Sequence, residues 1–156
     1  MNKSRNILLS IVLCFVLLQV VKHYIVQTSH VVGNSMSPAL MGRDADNSGD
    51  RIFVEKIAYR FRDPQRGEIV LINTKGLSNP MLKENSHYVR RIAGLPGEKV
   101  NIGDEERQLG ADEYLLIGDN AKTDIGTRFI GPIGKNNIIG RAVYIYFPFG
   151  RLGKIK

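Results

Sequence analysis

Apolar and polar positions divide the chain into two unequal parts. From Ile7 to Val21 it reads ILLSIVLCFVLLQVV, with Lys3 and Arg5 just ahead. Fifteen residues is short for a spanning helix. Counting on through Lys22 and His23 to Val26 gives twenty residues, or about 30 Å at the rise of an α-helix. Lys22 near that end can carry its ammonium to the interface along an apolar stem. A cleavable signal peptide would also show a short apolar run, but no A-x-A-like small pair follows here; Val and His hold that region. The reading favoured is an uncleaved anchor over residues 1–26. The basic N-terminus then stays in the cytoplasm, and residues 27–156 form an extracytoplasmic domain on a single-pass membrane protein.

Beyond the anchor the helical period disappears. Short β-branched and aromatic runs replace it at Arg51–Lys56, Glu68–Ile72, Tyr88–Leu95, Lys99–Ile102, Glu113–Ile117 and Gly140–Phe147. Turn signals separate them: Ser48-Gly49-Asp50, Asp63-Pro64 through Gly67, Pro96-Gly97 and Gly131-Pro132. This predicts a mostly β domain. Arg43–Asp50 and Thr74–Ser86 are polar enough for surface loops. No repeat, low-complexity tract or second-domain linker interrupts the pattern.

Length and charge narrow the picture. At 156 residues the chain has room for one domain with a real core. A net charge of +7 is compatible with nucleic acid, anionic membrane or an acidic partner. Nucleic acid is not expected, because no zinc-finger spacing, basic heptad array or RNA-binding signature is present. Cys14 is the single cysteine and lies in the apolar run, so no intrachain disulfide can form. His23, His30 and His87 are scattered, so no metal and no cofactor is expected.

The candidate chemistry centres on Val32–Leu40, VGNSMSPAL. A turn-prone run of this kind can hold the Ser35 hydroxyl forward with backbone N–H groups facing the same point, as acyl transfer requires. Alone, it reads better as an ordinary loop. Four stretches taken together change that: GNSMSPAL (33–40), GDRIFVEKIAYRFRDPQRGEIVLI (49–72), YVRRIAGLPGEKV (88–100) and GDNAKTDIGTRFIGPI (118–133). In order and spacing this set resembles the type I signal peptidase family, membrane-anchored serine endopeptidases with a Ser/Lys dyad. The likeness spans nearly the whole chain, anchor included.

The resemblance implies an antiparallel β-sheet peptidase domain of signal peptidase/LexA-like type on one N-terminal transmembrane helix. It implies a hydrolase that removes signal peptides from secretory preproteins, cutting after small residues at the membrane surface, with membrane lipid as a second partner. Ser35 falls on the nucleophile. Gly33, Asn34 and Met36 fall on the substrate-binding and oxyanion segment, where the Ser35 N–H would serve the oxyanion, Gly33 brings no hydroxyl, and Met36 would pack beneath the loop. Gly118, Asp119 and Asn120 match the turn that shapes the cleft.

Two departures qualify the match. Arg90, followed by Arg91, stands where the family places its general-base lysine, and a guanidinium with pKa above about 12 cannot accept the serine proton. In the fourth motif the serine that orients the lysine is replaced by Asp124. The aspartate that pairs with the motif's arginine is replaced by Gly126, ahead of Thr127 and Arg128. The expectation is a buried Arg90–Asp124 ion pair at the site of base and orienter; the alternative is that Asp124 pairs with Arg128. Lys83, Lys99 and Lys122 could offer another base, but each reads better as a solvated surface lysine. Two functions remain open: a signal-peptide-removing serine endopeptidase, or a catalytically silent homologue that binds exported segments without cleaving them. A repressor-type self-cleaving peptidase is disfavoured by the anchor and by the lack of a DNA-binding helical segment. Tyr144, Tyr146, Phe147 and Phe149, beside Arg141, Arg151, Lys154 and Lys156, read equally as an anionic-lipid interface or as half-buried strand with solvated ends.

Overall fold

The computed structural model describes residues 2–42, 49–77, 82–102, 105–120, 122 and 129–156. Helix α1 runs over Asn2–Val20, about 28 Å at 1.5 Å per residue, and is long and apolar enough to cross a membrane. Its large apolar side chains, Ile7 through Val20, lie exposed. The α-helix does not continue to Val26 as expected: a single π turn over Val21–Ile25 ends it, and Val26 opens strand β1 (Val26–His30). That strand escapes sequence reading because VQTSH carries little alternation. It forms by pairing with β2 (Arg51–Glu55), from Val26 opposite Glu55 to His30 opposite Arg51.

The remaining strands are β3 (Ile69–Asn73), β4 (His87–Gly94), β5 (Lys99–Ile102), β6 (Glu105–Gln108), β7 (Glu113–Ile117), β8 (Phe129–Gly134), β9 (Ile138–Phe147) and β10 (Gly153–Lys154). One antiparallel sheet has the order β1-β2-β9-β3-β4-β7-β8, with β10 on β9, and β5 and β6 pair separately. The fold is the mostly antiparallel β domain expected. Gly131-Pro132, read from sequence as a turn, lies inside β8. A proline is admissible there because β8 is the last strand in the sheet order, and an edge strand can spare a ladder N–H.

The continuous apolar run IVLI puts β3 at the centre. Ile69 and Leu71 join one buried cluster with Val31, Met36, Leu40, Ile52, Val54, Val89 and Ile145. Val70 and Ile72 join another with Ile92, Tyr114, Leu116, Ile133 and Ile138. With a side-chain period of two, a strand buried on both faces reads as an unbroken apolar run. Three members of the first cluster, Val31, Met36 and Leu40, come from the segment that carries Ser35. The nucleophile loop is therefore pinned by core packing.

Candidate active site

The loop from Val31 to Gly42 leaves the end of β1 and returns beside its own start. Gly33 has φ +71°, a left-handed conformation natural to glycine, and a Cβ on Gly42 would lie 2.0 Å from the Gly33 carbonyl oxygen. Met36 is fully buried below the loop, and Leu40 N–H donates to the Met36 carbonyl at 2.9 Å. Ser35 is left half-buried at the mouth of a cavity of about 270 Å³. The cavity runs between the end of β1 (His30, with Val31 and Val32) and the start of β4 (Ser86 to Arg90).

The structure brings Ser35 and Arg90 together: Arg90 Nη1 donates to Ser35 Oγ at 2.8 Å and also to the Val89 carbonyl at 2.8 Å. Arg90 stands opposite Val70 in the β3–β4 register and is 6 % exposed. Burial pulls its pKa below the usual guanidinium value, and Tyr88, whose ring lies 5.7 Å from Cζ, opposes that shift. From a starting point above about 12 the group remains a cation. The serine oxygen thus receives a proton donor where an acceptor would be needed to activate it.

The Gly118-Asp119-Asn120 turn, matched in sequence to one that shapes the cleft, lies against the serine loop. Asn120 N–H donates to the Ser35 carbonyl at 3.0 Å, and Asn120 Nδ2 donates to the Asn34 carbonyl at 2.8 Å. Gly118 is required by crowding, because a Cβ there would lie 2.6 Å from the Ser35 carbonyl oxygen. Asp119 faces away from the serine and takes a two-pronged ion pair from Arg91, Nε at 2.8 Å and Nη2 at 2.6 Å. Arg91 also donates to the carbonyls of Gly67 and Lys156. The Asp119 hydrogen bond raises the Arg91 pKa against a smaller lowering by burial.

Asp124 and Arg128 lie outside the described residues, as do Gly126 and Thr127, and so does the expected pairing of Asp124 with Arg90 or Arg128. Lys83, Lys99 and Lys122 are all exposed, as expected of solvated lysines. Among the described residues no group of three or more His, Cys, Asp and Glu side chains could hold a metal ion. Two features escape sequence reading. One is the Arg91–Asp119 pair, because the carboxylate reads only as part of a turn. The other is buried Asp50 with Arg151; a carboxylate ending the turn Ser48-Gly49-Asp50 gives no sign of a partner 101 residues on.

A serine on a core-anchored loop thus faces an inward cation across a slot between strands of an antiparallel sheet. The family model for signal peptidase, peptidase S26, matches residues 4–109. Signal peptidase I of Leptolyngbya laminosa is 30% identical over 159 aligned residues, covering 86% of this chain and 75% of that protein. Signal peptidase I of Bacillus amyloliquefaciens is 26% identical over 181 residues, covering 94% and 90%. Signal peptidase I T of Bacillus subtilis is 26% identical over 181 residues, covering 94% and 87%. The chain belongs to the signal peptidase family, peptidase S26.

Proposed function

We propose that this chain is a serine endopeptidase that removes signal peptides from secretory preproteins at the outer membrane–water interface, with Ser35 as nucleophile. α1 crosses the membrane, its basic N-terminus is cytoplasmic, and residues 27–156 are extracytoplasmic. The single observation that carries the reading is Ser35 Oγ, held at 2.8 Å from the Arg90 guanidinium at the mouth of the β1–β4 slot.

Two strand edges flank that slot. β1 is the first strand of the sheet order, and β4 pairs with β7 only from Arg91 onward. An extended peptide fits such a place by adding main-chain hydrogen bonds, with alternate side chains entering the cavity. Val31, Val32, Met36 and Val89 give that cavity an apolar lining suited to small residues before the scissile bond. The Asn34 carbonyl is held by Asn120 Nδ2, and the Ser35 N–H, which opposes it across the trans peptide, is the proposed oxyanion donor.

Arg90 cannot take the serine proton. Its charge instead favours the alkoxide of Ser35 over the hydroxyl, so the proton leaves to water and turnover rises with pH. A positioned general base is worth about 10²–10⁴ in rate, and turnover is slow by that order. The same hydrogen bond favours a second reading, a homologue that binds exported segments without cleaving them. Incubation of the purified protein in lipid with a preprotein carrying an A-x-A site, beside Ser35→Ala and Arg90→Lys variants, separates the two. Cleavage by the parent that disappears in Ser35→Ala establishes the enzyme; cleavage in Arg90→Lys alone establishes the silent homologue.

Membrane lipid is the second proposed partner. An apolar groove lined by Leu18 and Val21 of the anchor segment with Val26, Phe53, Val143 and Tyr144 adjoins a basic one lined by Arg66, Arg141, Lys154 and Lys156. Val143 and Tyr144 line both. Acyl chains suit the first groove and anionic headgroups the second.

A further inference from the structure

Outside the slot, an ion pair with a fully buried carboxylate stands behind the nucleophile loop. Asp50 is 0% exposed. Its carboxylate accepts the Met41 N–H at 2.8 Å and Arg151 Nε and Nη2 at 2.9 and 3.1 Å. Its backbone works on both ends of the same loop. The Val31 N–H donates to the Asp50 carbonyl, and the Asp50 N–H donates to the Met41 carbonyl, each at 2.9 Å. Arg151 adds a bond from Nη2 to the Ala39 carbonyl at 3.3 Å. The loop's entry, its exit and its last turn thus all converge on one ion pair, supplied by residues 50 and 151.

We propose that Asp50 and Arg151 are positioning residues for Ser35, setting the distance between its side-chain oxygen and the Arg90 guanidinium. The geometry has the form such a role needs. Val31, Met36 and Leu40 fix the underside of the loop by packing in the core. The hydrogen bonds from Asp50 and Arg151 to Val31, Ala39 and Met41 are directional and fix the loop along the sheet. A buried carboxylate that loses one partner incurs a desolvation penalty, so the pair holds as a unit. Neither residue touches the slot, and both act through the loop backbone. This role rests on the Ser35–Arg90 contact and does not require that the protein cleave anything.

A thiol in place of the serine hydroxyl reads the distance directly. In Cys14→Ser, Ser35→Cys full-length protein in lipid, alkylation by iodoacetamide as a function of pH gives the midpoint of the introduced thiol. Beside Arg90 it should lie at least about one unit below the ordinary value of about 8.5. Adding Asp50→Asn or Arg151→Gln should raise it by about one unit, and Arg151→Lys should restore part of the fall.

The two charge changes separate positioning from simple field effects. Removing the Asp50 negative charge without moving the loop would lower a thiol midpoint, whereas removing the Arg151 positive charge would raise it. A rise in both variants is a displacement of the loop. Glu55→Gln, in the separate Glu55–Arg141 pair, serves as a control that should lower thermal stability and leave the midpoint in place. A midpoint that falls or stays fixed in Asp50→Asn, or that fails to rise in Arg151→Gln, overturns the proposal. So does a midpoint that moves equally in Glu55→Gln. An ordinary midpoint in the Ser35→Cys protein itself would instead remove the Ser35–Arg90 contact, and with it the observation carrying the proposed function.

Discussion

At residue scale the chemistry turns on what a guanidinium can and cannot do 2.8 Å from a serine oxygen. A lysine buried there would lose its proton as pH rose toward neutrality and could then serve as base. Arginine keeps its charge throughout. Arg90→Lys should therefore introduce a titrating step: activity rises through the lowered lysine pKa and levels off above it. The parent rate should climb with pH without such a plateau. Rates of preprotein cleavage between about pH 6 and pH 10 check this, and identical profiles would count against it. Gly118 gives a second expectation, since its absent Cβ leaves room for the Ser35 carbonyl at 2.6 Å. Gly118→Ala should cost about 1–3 kcal/mol, the usual range for overpacking a tight contact, and should lower cleavage further by pushing the loop. Denaturant titration and the cleavage assay measure the two parts. Both residues are legible in the sequence because motif order carries them. The Arg91–Asp119 bond is not, since a carboxylate in a turn has no local feature that names a partner 28 residues away.

At the scale of elements, legibility follows burial pattern. The runs Glu68–Ile72 and Gly140–Phe147 show themselves as strands because one is buried on both faces and the other is long and rich in β-branched and aromatic residues. VQTSH and EERQ do not, because they are polar strands held by their partners: β1 by β2, β6 by β5. Between these elements a charged network ties β2, β3 and β9 to the turn before β3. Glu68 accepts from Arg62, Arg141, Tyr59 Oη and the Gln65 N–H, while Arg141 also donates to Glu55. Burial alone would raise the Glu68 pKa, and burial together with Glu68 raises that of Tyr59. The hydrogen bonds from Arg62, Gln65 and Tyr59 outweigh burial at Glu68 and hold it below the ordinary carboxylate value. A lowered folded-state pKa contributes stability that is complete above the unfolded value of about 4.3 and is lost as pH falls through the lowered one. Glu68→Gln should therefore destabilise by about 1–3 kcal/mol at neutral pH. The difference from the parent should shrink as pH falls below the ordinary carboxylate value. Thermal unfolding of both proteins across that window tests it, and a difference that persists unchanged in acid would contradict it.

At the scale of the molecule, an anchor helix, a slot between two strand edges and an apolar–basic outer face lie on one short chain. The sequence announces part of that face, through Tyr144, Arg141, Lys154 and Lys156, but Phe53 joins it only when β2 pairs with β9. The absence of tryptophan makes its partner measurable. Tyr144, 38% exposed and lining both grooves, replaced by Trp should show blue-shifted emission in vesicles containing anionic lipid. Lys154→Glu with Lys156→Glu should reduce that shift, at about 1 kcal/mol per basic residue near the surface; solvent-like emission in every vesicle would refute the lipid-facing assignment. The placement of Ser35 at the slot as a nucleophile is tested most directly by cleavage of a preprotein with small residues before the scissile bond. Parent, Ser35→Ala and Arg90→Lys proteins are compared in lipid. Slow cleavage by the parent, none by Ser35→Ala and at least about tenfold faster cleavage by Arg90→Lys is the predicted result. Cleavage that survives in Ser35→Ala, or a parent inert at every pH, would contradict it.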